Sequence, residues 1–168
     1  MNIKDIAQKK VYTVNINTNI KQVAEKMFTH HIGSVIVTEN TNQKEALPVG
    51  IVTDRDITKV FSKNYYFNTH TFVKHIMSSS LIMCREDESI FDVIKLMKTN
   101  GIRRVPIINK TDNLVGIVCL EDIIEMLSLE MKELVQLTRI ERLNEAHIDS
   151  HINTSDKVIN FEAPPFYE

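Results

Sequence analysis

The sequence predicts a mixed α/β (α+β) fold in which one β-α-β-β-α unit occurs twice, the copies packed as a pseudo-two-fold module and followed by a long helix. Three observations predict it. The chain matches itself at a fixed offset, each copy passes through strand-like and helix-like periodicity in the same order, and neither Gly nor Pro occurs from Leu120 to Asp149.

The offset is 70 residues in the first part of each copy: Ile6 aligns with Ile76, Val11 with Leu81, Asn17 with Asp87, Ile20 with Ile90, Val23 with Val93 and Met27 with Met97, and it holds through Val35 and Val105. It then falls to 66, where Gly50 meets Gly116 and Asp56 meets Asp122. The difference sits in the polar stretch Glu39 to Leu47, which reads as a longer hairpin loop in the first copy. Each copy opens with a short β-prone stretch, Val11–Val14 or Leu81–Cys84, and a polar cap, Asn17–Asn19 or Asp87–Ser89. An amphipathic helix follows, with Ile20, Val23, Ala24, Met27 and Phe28 at helical spacing, and Ile90, Val93, Ile94 and Met97 in the second copy. Two apolar strands come next, Ser34–Thr38 with Val49–Thr53 and Arg104–Asn109 with Leu114–Cys119, the second pair joined by the turn Lys110-Thr111-Asp112-Asn113. A last helix begins near Asp54 or Leu120, and a polar linker is expected over Ser62–Thr71. A unit of about 70 residues buries too little surface to be stable alone, so the copies are expected to stack through their sheets.

Composition narrows the function classes. With 43% hydrophobic and 25% charged residues the 168-residue chain is in the globular range, and a net charge of −2 gives no general electrostatic reason to hold nucleic acid. Its two cysteines, Cys84 and Cys119, form neither a disulfide framework nor a CxxC pair, which favours a reducing cytoplasm. The charged opening MNIKDIAQKK is not a secretory signal, and no apolar run approaches the roughly 18 residues of a membrane-spanning helix.

The segments GIVTDRDI (50–57), GIVCLEDI (116–123), HHIGSVIVT (30–38), NGIRRVPIIN (100–109) and IMSSSLIMCREDESIFDVIKLM (76–97) resemble the tandem CBS domain, named for cystathionine β-synthase. The resemblance covers roughly residues 1–130 and rests on several motifs recurring twice in order. It divides the chain into a first CBS repeat over 1–62, a second over 63–130, a helical extension over 131–149 and a tail over 150–168. It implies a stand-alone regulatory protein, not an enzyme. Such pairs bind adenosine-containing ligands (AMP, ADP, ATP or S-adenosylmethionine, in some cases NAD(H) or cyclic dinucleotides) in clefts between the repeats, and pass occupancy to an attached or partner protein.

The residues themselves agree with that chemistry. Thr53 ends a strand where a helix begins, a place suited to phosphate, and Asp56 lies in the first turn, where a carboxylate can accept from both hydroxyls of a ribose. The plainer alternative is helix capping by Thr53 or Asp54. In the second copy Asp122 keeps its place but Cys119 replaces the hydroxyl, leaving that site weaker, differently specific or empty. Arg103 and Arg104 precede a strand, where the resemblance implies phosphate contact. Neighbours in a strand alternate faces, so one of the two points outward, and Arg104 is preferred. The first copy has Gly33 and Ser34 there, which suggests one phosphate-competent cleft made from Thr53, Asp56 and the arginines. Val11, Thr13, Val35 and Val52 fit equally as walls of an adenine slot or as core. His30, His31 and His75 lack metal-ligand spacing, and no catalytic constellation is present.

Beyond Leu120 the residues Ile124, Leu127, Met131, Leu134, Leu137, Ile140 and Leu143 form an imperfect apolar stripe, which needs cover from its own module or from the same helix of a second chain in a short coiled coil. The resemblance, since CBS pairs commonly associate, implies a homodimer. A ligand-free assembly module acting through this helix is therefore the alternative to a sensor. A redox enzyme using Cys84 and Cys119 ranks far behind. The residues do not name an effector partner. The aperiodic ending with Pro164-Pro165 reads as a frayed terminus.

Overall fold

The structure, a computed structural model, describes residues 2–39, 47–63, 71–78 and 80–155. Most of the loop expected over 39–47, of the linker over 62–71 and of the tail over 150–168 lies outside these residues. Two compact units are present, residues 1–124 and residues 125–168.

The predicted mixed α/β repeat is what forms. The first copy contains β1 (Thr13–Asn15), α1 (Ile20–His30), β2 (Ser34–Thr38), β3 (Pro48–Thr53) and α2 (Asp54–Lys63); the second contains β4 (Cys84–Arg85), α3 (Ile90–Asn100), β5 (Arg104–Ile108), β6 (Leu114–Cys119) and α4 (Leu120–Ser155). Each copy builds a three-stranded sheet in chain order, the first pair parallel and the second antiparallel. Even the irregularities repeat, since the register shifts between Val37 and Thr38 and again between Ile107 and Ile108.

Local chemistry sets the element ends. The Asn19 side chain accepts from the Gln22 amide at 2.9 Å and Ser89 Oγ from the Asp92 amide at 3.2 Å, so both first helices carry an N-cap. Both end in a left-handed residue, His31 at φ 53° and Gly101 at φ 63°. Burial of Ile20, Val23 and Met27 matches the helical stripe, as does burial of Ile90, Val93 and Met97. Phe28 does not belong to that stripe: it is 82% exposed. At about 100° per residue it sits well round the helix from Val23 and Met27, so its spacing from Ala24 misleads. Val35 and Val52, open between wall and core on the sequence, are core residues.

The copies are interleaved. Two short 3-10 turns, Ile3–Asp5 and Val73–His75, stand at equivalent positions ahead of the repeats. Each docks on the other copy. Ile3 donates to the Glu88 carbonyl, and Gln8 exchanges backbone bonds with Ile117 at 2.9 and 3.0 Å. Val73 joins the core of the first copy with Val14, Val23 and Val52, and Ser78 exchanges bonds with Ile51 at 2.9 and 3.3 Å. The repeated glycines make room for these strips. A Cβ on Gly50 would lie 3.0 Å from the Ser78 carbonyl oxygen, and one on Gly116 3.3 Å from that of Gln8.

Candidate functional site

At the β3–α2 junction Thr53 and Asp56 cap each other. The Thr53 amide and Oγ1 donate to Asp56 Oδ2 at 3.0 and 2.6 Å, and the Asp56 amide donates to Thr53 Oγ1 at 3.3 Å. This reciprocal pattern is a capping box with Asp in the acidic place. It satisfies helix-start donors and engages Asp56 through Oδ2. At the β6–α4 junction a thiol replaces the hydroxyl, and the Cys119 amide alone donates to Asp122 Oδ2, at 2.7 Å. The other oxygen of Asp122 is used as well: Gln8 Nε2 donates to Oδ1 at 2.7 Å.

A cleft of about 160 Å³ opens between the copies. Lys10, Val11 and Tyr12 line it ahead of β1, Ile32, Gly33, Ser34 and Ile36 line it along β2, and Arg104, Ile117, Cys119 and Gln8 close the opposite side. Its walls are mostly apolar, with cations from Arg104 and Lys10, the balance that small-molecule sites carry. Gly33 keeps one wall low: a Cβ there would stand 3.5 Å from both Arg104 Nη2 and Asp54 Oδ2. Burial pushes the Cys119 thiol above its ordinary value, and nearby Asp122 adds to this while the Arg104 guanidinium opposes it. Lys10 Nζ lies 5.2 Å from the Tyr12 ring centre, and that ring lies 4.6 Å from the imidazole of His30.

The residues expected at the site are therefore only partly gathered. Val11 and Arg104 share the cleft. Arg103 faces away, ion-paired with Glu121 at the surface, because neighbours on a strand point to opposite sides. Thr13 sits in β1 opposite Ile36, its carbonyl accepting from Lys26 Nζ at 2.7 Å. Thr53 and Asp56 do not line this cleft, although Thr53 is the strand partner of Ser34, which does. Arg104 lies between the copies: it lines the cleft beside its strand partner Cys119, and its Nη2 stands as near the Gly33 Cβ position as does Oδ2 of Asp54, the residue after Thr53. Asp122 is linked to it through Gln8. The sequence reading missed Gln8, whose only signal is the offset of 70 that sets it against Ser78. Among the described residues no group of His, Cys, Asp and Glu is placed to hold a metal ion.

Known proteins match this arrangement. The CBS domain family matches residues 3–63 and again 73–129. The CBS domain-containing protein YhcV of Bacillus subtilis is 35% identical over 121 residues, 72% of this chain and 81% of its own length. An uncharacterized protein of Methanopyrus kandleri, MK0525, is 34% identical over 75% of this chain, a match that spans only 62% of the relative. Among solved structures, the CBS domain pair of protein MJ0100, in complex with 5′-methylthioadenosine and S-adenosyl-L-methionine, superposes with a TM-score of 0.66 at 28% identity, over 77% of this chain and 98% of its own. The CBS domain protein PAE2072 of Pyrobaculum aerophilum, complexed with AMP, shares the fold at a TM-score of 0.65 and 21% identity, over 73% of this chain and 89% of its own. The two family matches fall on the two copies that the backbone itself repeats, and the chain belongs to the CBS domain family.

Proposed function

We propose that this protein is a regulatory sensor, not an enzyme, that binds an adenosine-containing ligand of the AMP, ADP, ATP or S-adenosylmethionine class between its repeats. The observation that carries this reading is the carboxylate-capped strand-to-helix junction that occurs in both copies, Thr53 with Asp56 and Cys119 with Asp122. Each borders the inter-repeat cleft that Arg104 and Lys10 make cationic, the first through Ser34 and the second through Cys119 itself. The adenosine compounds in the MJ0100 pair support the ligand class. Thr53 and Asp56 are the preferred ribose and phosphate contacts: they stand at a helix start, and their bonds engage the carboxylate through Oδ2. Val11 and Thr13 flank the base, and Arg104, more than Arg103, meets phosphate. Occupancy acts by favouring one conformation of the pair over another, which an effector protein reads.

Calorimetry with AMP, ATP and S-adenosylmethionine tests this. Saturable binding is expected, lost in Asp56→Ala. A folded, ligand-free preparation that binds none of them overturns the reading.

A second reading has its own support. Leu127, Met131, Leu134, Leu137, Ile140 and Leu143 of α4 are 47–65% exposed, more apolar surface than a lone helix leaves in water. We place a homodimer on this stripe, and under the second reading assembly is the whole function. Sedimentation is expected to give a dimer and Leu134→Glu a monomer, while a monomeric wild type excludes the stripe as the interface. No helix among the described residues is long and apolar enough to cross a membrane, and the free thiols of Cys84 and Cys119 favour the reducing cytoplasm.

A further inference from the structure

The two copies place the same backbone beside the same carboxylate, but they do not place the same side chain there. Gln8 and Ser78 are equivalent at the offset of 70, as are Ile117 and Ile51 at 66. Both pairs make the same two antiparallel backbone bonds. Each strip is held in position by its 3-10 turn, with buried Ile3 in one and buried Val73 in the other. On this shared frame the glutamine reaches Asp122 Oδ1 at 2.7 Å. Ser78, whose hydroxyl stops far shorter on the chain, is exposed at the corresponding place. Asp122 therefore has Oδ2 engaged by the Cys119 amide and Oδ1 by the Gln8 amide, whereas the bonds of Asp56 converge on Oδ2. Gln8 also lines the cleft that holds Arg104 and Cys119.

A ribose diol needs a carboxylate with lone pairs to spare. A primary amide presents the same kind of N–H donor that the diol presents as O–H, so at Asp122 Gln8 stands where a ligand hydroxyl would bind. We infer that Gln8 is a built-in occupant of the Asp122 position, and that it limits the protein to one adenosine ligand per chain, bound at Asp56. This inference rests on the sensor reading above. Gln8 is a specificity-determining residue here: its length decides which of two equivalent carboxylates, Asp56 or Asp122, is open to a diol. The contact joins two groups at the protein surface, so breaking it leaves the backbone bonds of the strip in place.

The test counts bound ligand. Equilibrium dialysis with AMP and, separately, 5′-methylthioadenosine is run on the full chain as wild type, Gln8→Ser, Gln8→Ala, Asp56→Ala and Gln8→Ser/Asp56→Ala, each checked for a native circular dichroism spectrum and a cooperative melt. The expected result is one ligand per chain for the wild type and none for Asp56→Ala. Both Gln8 variants then take two, and the double variant one. A wild type that binds two ligands overturns the inference, as do Gln8 variants that stay at the wild-type value, and both results leave the sensor reading intact. A wild type that binds nothing removes the Asp56 reading. Gln8 is then judged by whether its variants gain one ligand that Asp122→Ala abolishes, and a failure to gain it overturns the inference too.

Discussion

The Val73 amide donates to the Thr18 carbonyl at 2.8 Å, and 70 positions earlier in the repeat the Ile3 amide donates to the Glu88 carbonyl at the same distance. Each bond joins a strip that opens one copy to the helix start of the other. Ile3 and Val73 are both fully buried. The interleaving predicts that a change in the first few residues is felt in the distant copy. Ile3→Ala is expected to cost about 2–5 kcal/mol in urea melts while the unfolding stays a single transition. Retention of wild-type stability would show that the strip is an ornament.

A second prediction uses a backbone position where the repeats disagree in residue but agree in shape. His31 and Gly101 both end their helices at positive φ, a conformation that costs an L-residue about 1–2 kcal/mol. His31→Gly is expected to stabilise the protein by about 1 kcal/mol. Gly101→Ala is expected to destabilise it by a similar amount, although the added methyl would meet nothing within 4 Å. Chemical denaturation of the two variants checks both signs.

The third concerns pH. Burial, with a smaller contribution from Glu88, pushes the Cys84 thiol up from 9.0 to about 12. Between those values the unfolded chain gives up this proton and the folded chain keeps it. The unfolded state then binds fewer protons, so stability is full below about pH 9 and falls as pH rises toward 12. Denaturant midpoints measured across that window are expected to fall more steeply for the wild type than for Cys84→Ala. Iodoacetamide at pH 8 is expected to spare Cys84 until the protein unfolds.

Much of this architecture was legible because it is written twice. Strand alternation, the stripes through Val23 and Val93 and the Gly50–Gly116 pairing each carry a local signal that the offset reinforces. Phe28 shows the limit of a stripe read by spacing alone, since nothing in the pattern separates its edge from its centre. The exchange of strips was out of reach for a different reason. Ile3 and Val73 are interchangeable on the page, and only three-dimensional closure decides which copy each one fills. Gln8 was hidden behind that choice, because its meeting with Asp122, 114 residues away, follows from where the strip goes. For the same reason the sequence could list Thr53, Asp56 and Arg104 but could not show that Arg104 lines the described cleft and the other two do not.

The interleaving also bears on ancestry. A chain carrying one copy would own a docking strip with no groove of its own to lie in, and a groove over its glycine with nothing to fill it. Two such chains could satisfy each other by trading strips about a two-fold axis. Duplication followed by fusion would then need no new packing: it would join, through one linker, a pair of subunits that had already learned to fold as one.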